Sequence, residues 1–272
     1  MKTYRYDYID GAKCLIDVPE MYNRRLGVLA RFTERVREGF PSQLPDYVKT
    51  LSEALSHSPR PATLPESYAT MLKEFPAWQM EPELLSSAAG FYLRTLNQPE
   101  AIEKAPQVEV FTADALRASL GLTYHQIKSL EVLMPKNDAL RFWMDFLDRD
   151  IPNLALKKMG EVEEVIWAGR QPPGPFKNSF IATEFDLEDG RVGIRVKKCR
   201  WKEVLQEFAD PEYAYAVACH YDFAAAKAAN PNFVLTRTQT LTKDAPYCDF
   251  VWHDLRRDKA CRHPAKSFWE TL

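Results

Sequence analysis

The spacing of apolar and polar positions divides the chain into a helical first part and a mixed second part. Apolar residues recur at three- and four-residue steps over residues 22–40, which predicts an amphipathic helix that ends before Pro41. Similar spacing predicts further helices over residues 46–55, 66–75, 83–96 and 137–147, and another that begins at Thr112. We therefore expect an all-helical N-terminal region.

The spacing changes to that of extended chain after residue 179. Residues 180–187 and 190–199 have strand character, and the Asp189-Gly190 pair between them predicts a hairpin turn. Helices are expected at residues 201–208 and 211–228, the second capped by Asp210 and opened by Pro211. Two further strands are expected at residues 233–241 and 247–254. This order predicts an α+β domain with an antiparallel sheet covered by helices.

A polar stretch that contains Pro99 and Pro106 suggests a boundary between two parts of the chain. We expect a helical N-terminal region over residues 1–105 and the α+β domain over residues 106–272. The helical region could serve as a lid, as a dimerisation element that makes the protein a homo-oligomer, or as a transmitter of a binding signal.

Composition and charge exclude several classes of protein. With 36 Lys and Arg against 38 Asp and Glu, the chain has a net charge of -2 and lacks the positive excess typical of nucleic-acid binding. No apolar run approaches the ~20 residues of a membrane-spanning helix. The polar, tyrosine-rich N-terminus lacks the layout of a secretory signal, so we expect a cytoplasmic protein. The five cysteines are then expected to be reduced thiols.

Cys219 and Asp222 are the first candidates for chemistry. They lie three positions apart in the predicted helix 211–228, a spacing that puts both side chains on one helix face. A thiol and a carboxylate could therefore share a pocket. The alternative is that Cys219 is an inert core residue and that Asp222 faces solvent.

The last predicted strand contains a second thiol and a second carboxylate. Cys248 and Asp249 are adjacent, so in a strand their side chains point to opposite faces, and Asp249 shares its face with His253. Asp249 and His253 could act as an acid–base pair or form a solvated surface pair. By simple alternation, Cys199 in the strand 190–199 falls on the polar face, unless a bulge intervenes.

Arg237 and the cysteines also suggest binding functions. An arginine held on a strand suits a bidentate contact with a substrate carboxylate, although a structural ion pair is the more frequent use. Three thiolates, from Cys199, Cys219 and Cys248, could bind zinc or iron together with His220, Asp222 or His253. The closely spaced ligand pairs that make a metal site specific are missing, so we expect no metal and no other cofactor.

These motifs together resemble those of the L-2-amino-thiazoline-4-carboxylic acid hydrolase family. The resemblance covers the C-terminal half, from the helix around Leu140 onward. One departure is the segment before the last strand, where members of the family tend to have a glycine and this chain does not. The motifs that carry it are Cys199 ahead of a helix, Cys219-x-x-Asp222, Arg237-Thr238, Thr240-Leu241 and the final Cys248-Asp249-Phe250.

The resemblance implies a hydrolase that opens a small cyclic amidine-like or thiazoline-type ring carrying a carboxylate. Cys219 or Cys248 would attack the ring carbon as a thiolate, and Asp222 or Asp249 would transfer protons. Alternatively, an aspartate activates water and the cysteines only shape the pocket. Substrate-binding residues would be Arg237, Thr238, Cys199 and His253. A different reading is a non-catalytic sensor that binds a small molecule or a metal.

Overall fold

The computed structural model describes residues 2–56, 82–96, 107–150, 158–165, 178–208 and 210–272. Its contacts divide the chain into two compact units, one formed by Gly11–Trp143 and the other by Met1–Asp10 together with Met144–Leu272. The helix predicted at residues 66–75 and most of the predicted boundary around Pro99 lie outside the described residues.

The elements are numbered in chain order. The strands are β1 (Thr3–Tyr8), β2 (Lys13–Asp17), β3 (Gln107–Phe111), β4 (Ser179–Glu188), β5 (Arg191–Cys199), β6 (Phe233–Thr236) and β7 (Cys248–Asp254). The α-helices are α1 (Val18–Gly39), α2 (Leu44–Ser56), α3 (Pro82–Thr95), α4 (Thr112–Lys128), α5 (Lys136–Asp150), α6 (Arg200–Gln206), α7 (Pro211–Ala214), α8 (Tyr221–Ala229) and α9 (Lys266–Glu270). Short 3-10 turns occupy Ser129–Val132, Val162–Val165 and Leu241–Lys243.

The unit Gly11–Trp143 is built mainly from helices that bury one apolar face each. Helix α1 begins where the side chain of Asp17 accepts a hydrogen bond from the Glu20 amide at 2.8 Å, which satisfies one of the amides left open at a helix start. Phe32 on α1 is fully buried and packs edge-on against Trp143, with 5.0 Å between the ring centroids. The apolar periodicity along the chain therefore identified α1 correctly.

The prediction of an all-helical N-terminal region is wrong, because the chain begins with two strands. Strand β1 pairs with β4, and β2 pairs with β3 in an antiparallel ribbon. In that ribbon Ile16 and Val108 are buried opposite each other, while Leu15 and Phe111 are exposed. These strands are short and pair with residues far away in the sequence, so local periodicity gives them little signal.

The second unit contains a five-stranded antiparallel sheet with the strand order β1-β4-β5-β7-β6, which confirms the predicted α+β class. The predicted hairpin joins β4 to β5. Its two central residues, Asp189 and Gly190, have φ of 51° and 77°, as a two-residue turn of this kind requires. A Cβ on Gly190 would lie 2.6 Å from the Cβ of Arg257, so a glycine is needed there for space as well.

A bulge in β5 changes the face on which Cys199 lies. Ala182 on β4 pairs with Val196, but the preceding Ile181 pairs with Lys198, so Lys197 is an extra residue in the ladder. Simple alternation would put Cys199 on the polar face. After the extra residue it packs instead against the apolar cluster that contains Val196.

The predicted helix 211–228 is interrupted by a π-helical turn over Tyr215–Cys219. The amide of His220 donates to the carbonyl oxygen of Tyr215 at 3.1 Å, a bond to the fifth preceding residue. The predicted cap is present, since the Asp210 side chain accepts from the Tyr213 amide. Such turns occur often at functional sites, and this one ends at Cys219.

The sheet has two differently covered faces. On one face Cys248 packs with Ala182, Val196 and Leu241. On the other, Val251 packs with Phe185, Tyr247 and Trp269, the last of which lies on the C-terminal helix α9. In the described part of the chain, no helix is long and apolar enough to span a membrane.

Candidate active site

Cys219 lies at the end of the π-helical turn, beside two threonine hydroxyls. Its sulfur is 3.3 Å from Oγ1 of Thr242 and 3.7 Å from Oγ1 of Thr240. The residue as a whole is partly buried, in contrast to the buried Cys14 and Cys248. The turn and the segment after β6 together fix the position of this thiol.

Thr240 connects Cys219 to the second thiol, Cys248. Its Oγ1 lies 3.3 Å from the Cys248 sulfur, which also accepts a hydrogen bond from the Leu241 amide at 3.2 Å. Cys248 is 5% exposed and Thr240 is 3% exposed. The two thiols are therefore bridged by a buried hydroxyl, and Cys219 is the more accessible of the two.

The surroundings keep these thiols protonated. Burial raises the pKa of Cys248 to about 11, although hydrogen bonds from Thr240 and Leu241 oppose the shift. Burial and the nearby Asp222 charge raise the pKa of Cys219. Burial, with smaller contributions from Cys248 and Cys219, also raises the pKa of Cys199. All five cysteines of the chain are free thiols, as expected from their number.

Arg237 contacts the π-helical turn and Asp222. Its Nη1 donates to Oδ2 of Asp222 at 3.1 Å, and its Nη2 donates to the Cys219 carbonyl at 3.1 Å and to the Tyr215 hydroxyl at 3.3 Å. The guanidinium also lies 4.9 Å from the ring centroid of Phe223 and 5.0 Å from that of Phe250. Three donor contacts thus go to protein groups, and the side chain is 2% exposed.

Asp222 keeps an open side. Its side chain is 35% exposed, in contrast to the buried guanidinium that it contacts. Desolvation by the surrounding protein raises the pKa of Asp222 to about 6, against the lowering effect of Arg237. A carboxyl group with this pKa exchanges protons readily near neutral pH.

Asp249 lies on the opposite face of the sheet from Cys248. Its Oδ1 accepts hydrogen bonds from the amides of Thr238 at 2.8 Å and Gln239 at 2.9 Å, and its Oδ2 accepts from the Thr238 hydroxyl. His263 lies 3.1 Å from the same Oδ2. Although burial opposes it, these hydrogen bonds lower the pKa of Asp249. The chain leaves the sheet after Thr236, and the amides of Thr238 and Gln239 bond to the Asp249 side chain instead of to a strand.

His253 shares the face of Asp249, as the strand alternation predicts, but the two do not contact each other directly. Thr236 and His263 lie between them: the Thr236 Oγ1 is 2.8 Å from His253 Nε2 and 2.8 Å from His263 Nδ1. The other ring nitrogen of His253 lies 2.6 Å from Oδ2 of Asp258.

The structure therefore separates the candidate residues into two groups. One group gathers around Cys219 and contains Cys199, Asp222, Arg237 and Cys248. The other lies on the opposite face and contains Thr238, Asp249 and His253. Among the described residues, no three cysteine, histidine or carboxylate side chains are placed so that they could hold one metal ion.

Several residues of the site were not identified from the sequence. Tyr215 begins the π-helical turn that ends at Cys219, and its hydroxyl accepts from Arg237, a contact that no spacing in the sequence indicates. Thr240 was noted only as part of the Thr240-Leu241 motif, and Thr242 carries no comparable signal, because the contacts of both with Cys219 depend on the turn after β6. His263 and Asp258 follow the last strand in a segment without a periodic pattern.

Residues 140–252 match the family model of L-2-amino-thiazoline-4-carboxylic acid hydrolase. The resemblance inferred from the cysteine, aspartate and arginine motifs is thereby confirmed for the C-terminal half. The matched range includes the whole group around Cys219, whereas His253, Asp258 and His263 follow it. No curated protein and no solved structure matches the chain.

Proposed function

We propose that the chain is a hydrolase that opens a carbon–nitrogen bond in a small ring of the thiazoline type that carries a carboxylate. The family match over residues 140–252 supports this class of reaction. The single observation that carries the site assignment is the environment of Asp222. Its pKa is raised to about 6, its side chain is 35% exposed, and it lies near the partly buried Cys219.

The reaction needs water and a group that transfers protons. Water adds to the ring carbon that is bonded to nitrogen and sulfur, and a tetrahedral intermediate forms. The bond from this carbon to the ring nitrogen then breaks. The oxygen of water becomes a carbonyl oxygen, and both of its protons end on the ring nitrogen, which leaves as an amine.

Asp222 is the proposed proton carrier. As a carboxylate it takes a proton from the attacking water, and as the resulting acid it gives that proton to the ring nitrogen. It then takes the remaining proton from the hydroxyl of the intermediate and gives it to the same nitrogen as the carbon–nitrogen bond breaks. Because Arg237 donates to Oδ2 of Asp222 at 3.1 Å, the buried guanidinium fixes the orientation of the carboxylate. In this proposal Arg237 acts through Asp222, since its described donor contacts go to protein groups.

The thiol of Cys219 favours water as the nucleophile over a covalent thiolate route. The pKa of Cys219 is raised by burial and by Asp222, so the thiolate is scarce at neutral pH. As a protonated thiol beside the hydroxyls of Thr240 and Thr242, Cys219 instead shapes the pocket wall.

The test is turnover of 2-amino-2-thiazoline-4-carboxylate by the purified full chain. Ring opening is followed by mass spectrometry as the gain of one water, and by the appearance of a primary amine. We expect kcat/KM to rise with pH through about 6, because Asp222 must be deprotonated to act as base. Binding of the ring compound without turnover would contradict the hydrolase and favour the sensor alternative.

Matched variants distinguish attack by water from attack by a Cys219 thiolate. Asp222→Asn keeps the size of the side chain and should lower kcat by about 100-fold or more. Asp244→Asn is the control, since the Asp244 side chain is 82% exposed and contacts only Lys202 at 3.4 Å among the described ion pairs. Cys219→Ser should retain most activity. A loss as large as that of Asp222→Asn would instead indicate a covalent thiolate.

A further inference from the structure

A hydrogen-bonded chain of five side chains lies on the sheet face opposite Cys248. At its centre, Oγ1 of Thr236 is 2.8 Å from a ring nitrogen of His253 and 2.8 Å from one of His263. The outer nitrogen of His253 is 2.6 Å from Asp258, and that of His263 is 3.1 Å from Asp249. We call this set, Asp258–His253–Thr236–His263–Asp249, the histidine chain.

The histidine chain has too few hydrogens for its four contacts when both rings are neutral. Each carboxylate accepts, so the ring nitrogen facing it must carry a hydrogen. If both rings are neutral, their two remaining nitrogens are bare, and both face Thr236, whose hydroxyl has a single hydrogen. One of the two 2.8 Å contacts would then join two lone pairs. All four contacts are hydrogen bonds only when the set holds one additional proton, which an imidazole ring binds more readily than a carboxylate at neutral pH.

The surroundings indicate which ring holds it. His253 is fully buried, and desolvation lowers its pKa. The carboxylate of Asp258 opposes this shift, whereas the guanidinium of Arg191, 4.0 Å from Asp258, lowers the pKa further. The additional proton is therefore disfavoured on His253. The His263 side chain is 13% exposed and contacts the buried carboxylate of Asp249.

Two further polar groups lie near the histidine chain. Arg195 is the cross-strand partner of Asp249, and its guanidinium lies 4.8 Å from the Tyr247 ring centroid. The Cys261 thiol donates to the Asp258 carbonyl at 3.7 Å. Neither group supplies a hydrogen to Thr236 among the described hydrogen bonds, so the additional proton has to come from solvent.

We propose that the histidine chain is a buried proton-binding site, occupied through His263, that fastens the C-terminal segment of residues 255–272 to the sheet. Thr236, Asp249 and His253 belong to strands β6 and β7, whereas Asp258 and His263 belong to this segment. The His263 ring stacks on Trp269 of α9 at 5.5 Å between ring centroids. Loss of the proton therefore breaks the contact at His263 and loosens the helix that packs on it.

The strength with which residues 255–272 dock on the sheet should depend on pH. The proton is bound when residues 255–272 are docked on the sheet and is released when they are not. It therefore strengthens docking below the ordinary histidine pKa of about 6.5, and this stabilisation is lost as the pH rises. His253 has the opposite effect on docking. Its pKa is lowered, so the buried ring is neutral, and its protonation in acid weakens docking. Docking is therefore weakened in acid, where His253 gains a proton, and in base, where the additional proton is lost.

Nitrogen-15 NMR of the histidine rings in the full chain tests the proton directly. At pH 7, His263 should show the two protonated nitrogens of an imidazolium, and His253 should show a neutral ring with its hydrogen on Nδ1. His220, which lies 3.2 Å from Asp148, serves as an internal comparison outside the histidine chain. Two neutral rings at pH 7 would overturn the proposal, and this readout needs no variant to fold.

Hydrogen–deuterium exchange tests the coupling to docking. After correction for intrinsic rates, amides of residues 255–272 should exchange about tenfold faster at pH 8.5 than at pH 6.5, as expected for loss of one charge-assisted hydrogen bond. Thr236→Val removes the central hydroxyl and should abolish this difference, whereas Thr236→Ser should keep it. An imidazolium at His263 with pH-independent exchange in the wild type would contradict the fastening role.

Discussion

Arg237 and Asp222 form an asymmetric ion pair: they meet at 3.1 Å, but the side chain of Arg237 is 2% exposed and that of Asp222 is 35% exposed. The guanidinium is held by Tyr215 and the Cys219 carbonyl as well, so it acts as a fixed positive charge. The carboxylate retains access to water. The pair therefore combines a rigid cation with a group that can gain and lose a proton.

Replacement of Arg237 by Gln should shift the pH dependence of activity. Arg237 lowers the pKa of Asp222, so its removal should raise that pKa above about 6 and move the rise of kcat/KM to higher pH. The free energy of unfolding should fall by about 2 to 4 kcal/mol, because the partly buried Asp222 loses its buried partner. Activity–pH profiles and urea unfolding measure the two effects.

A surface arginine provides the control for that change. Arg149→Gln alters a side chain that is 50% exposed and contacts Asp150 at 3.2 Å. It should change stability by less than about 1 kcal/mol and leave the pH profile in place. An unshifted profile in Arg237→Gln would mean that Asp222 is not the group whose titration limits activity.

The cysteines should react slowly with iodoacetamide. Since burial raises the pKa of Cys248 from 9.0 to about 11, its thiolate fraction at neutral pH is about 100-fold lower than that of an unperturbed thiol. Cys219 should be labelled before Cys248, because it is more accessible. Peptide mapping after timed labelling gives both rates. Rapid labelling of Cys219 at pH 7 would reveal a thiolate and support the covalent route.

Two glycine substitutions should separate backbone strain from crowding. Both Gly11 and Gly190 have positive φ, 66° and 77°, but a Cβ on Gly11 meets no atom within 4 Å and one on Gly190 meets the Arg257 Cβ at 2.6 Å. Gly11→Ala should cost about 1 kcal/mol, and Gly190→Ala about 2 to 4 kcal/mol. Equal losses in chemical unfolding would show that the Arg257 contact relaxes freely.

His125 should make the unit Gly11–Trp143 sensitive to acid. Burial lowers the pKa of His125 to about 4, while the unfolded chain titrates near 6.5. A lowered pKa contributes stability that is present above pH 6.5 and lost as the pH falls towards 4. The loss should reach about 3 kcal/mol at pH 4.

His125→Phe provides the comparison for that effect. The ring of His125 contacts Phe91 and Tyr124 edge-on at 5.4 Å and 5.3 Å between centroids, so an aromatic replacement keeps the packing without the titration. Urea unfolding at pH 7 and pH 4 should show a smaller loss for the variant. An identical loss in both proteins would assign the acid sensitivity to other groups.

Local patterns predicted those parts of the fold that depend on near neighbours. The Asp189-Gly190 hairpin and helix α1 follow from turn chemistry and from apolar spacing, and both are present. Strand alternation also placed Cys248 and Asp249 on opposite faces, in agreement with their separate contacts. The pairing of β2 with β3 could not be predicted in this way, because it joins residues about ninety positions apart.

The site was predictable only where its residues are close neighbours along the chain. Cys219 and Asp222 follow from a three-residue spacing, and both contact Arg237 in the structure. Thr240 could not be found by spacing, because its hydroxyl reaches both thiols only after the chain turns beyond β6. The histidine chain was missed for a similar reason, since His263 follows the sheet in an aperiodic segment.

Because Lys197 is an extra residue in β5, the face on which the Cys199 thiol lies depends on the number of residues in the strand and not on their types. A sequence lacking one residue at this point would keep the residue types of the site, yet the cysteine that corresponds to Cys199 would lie on the side of the C-terminal helix. An alignment that scores only matched columns would report such a sequence as unchanged. Insertions and deletions in β5 are therefore as informative as substitutions when relatives of this protein are compared.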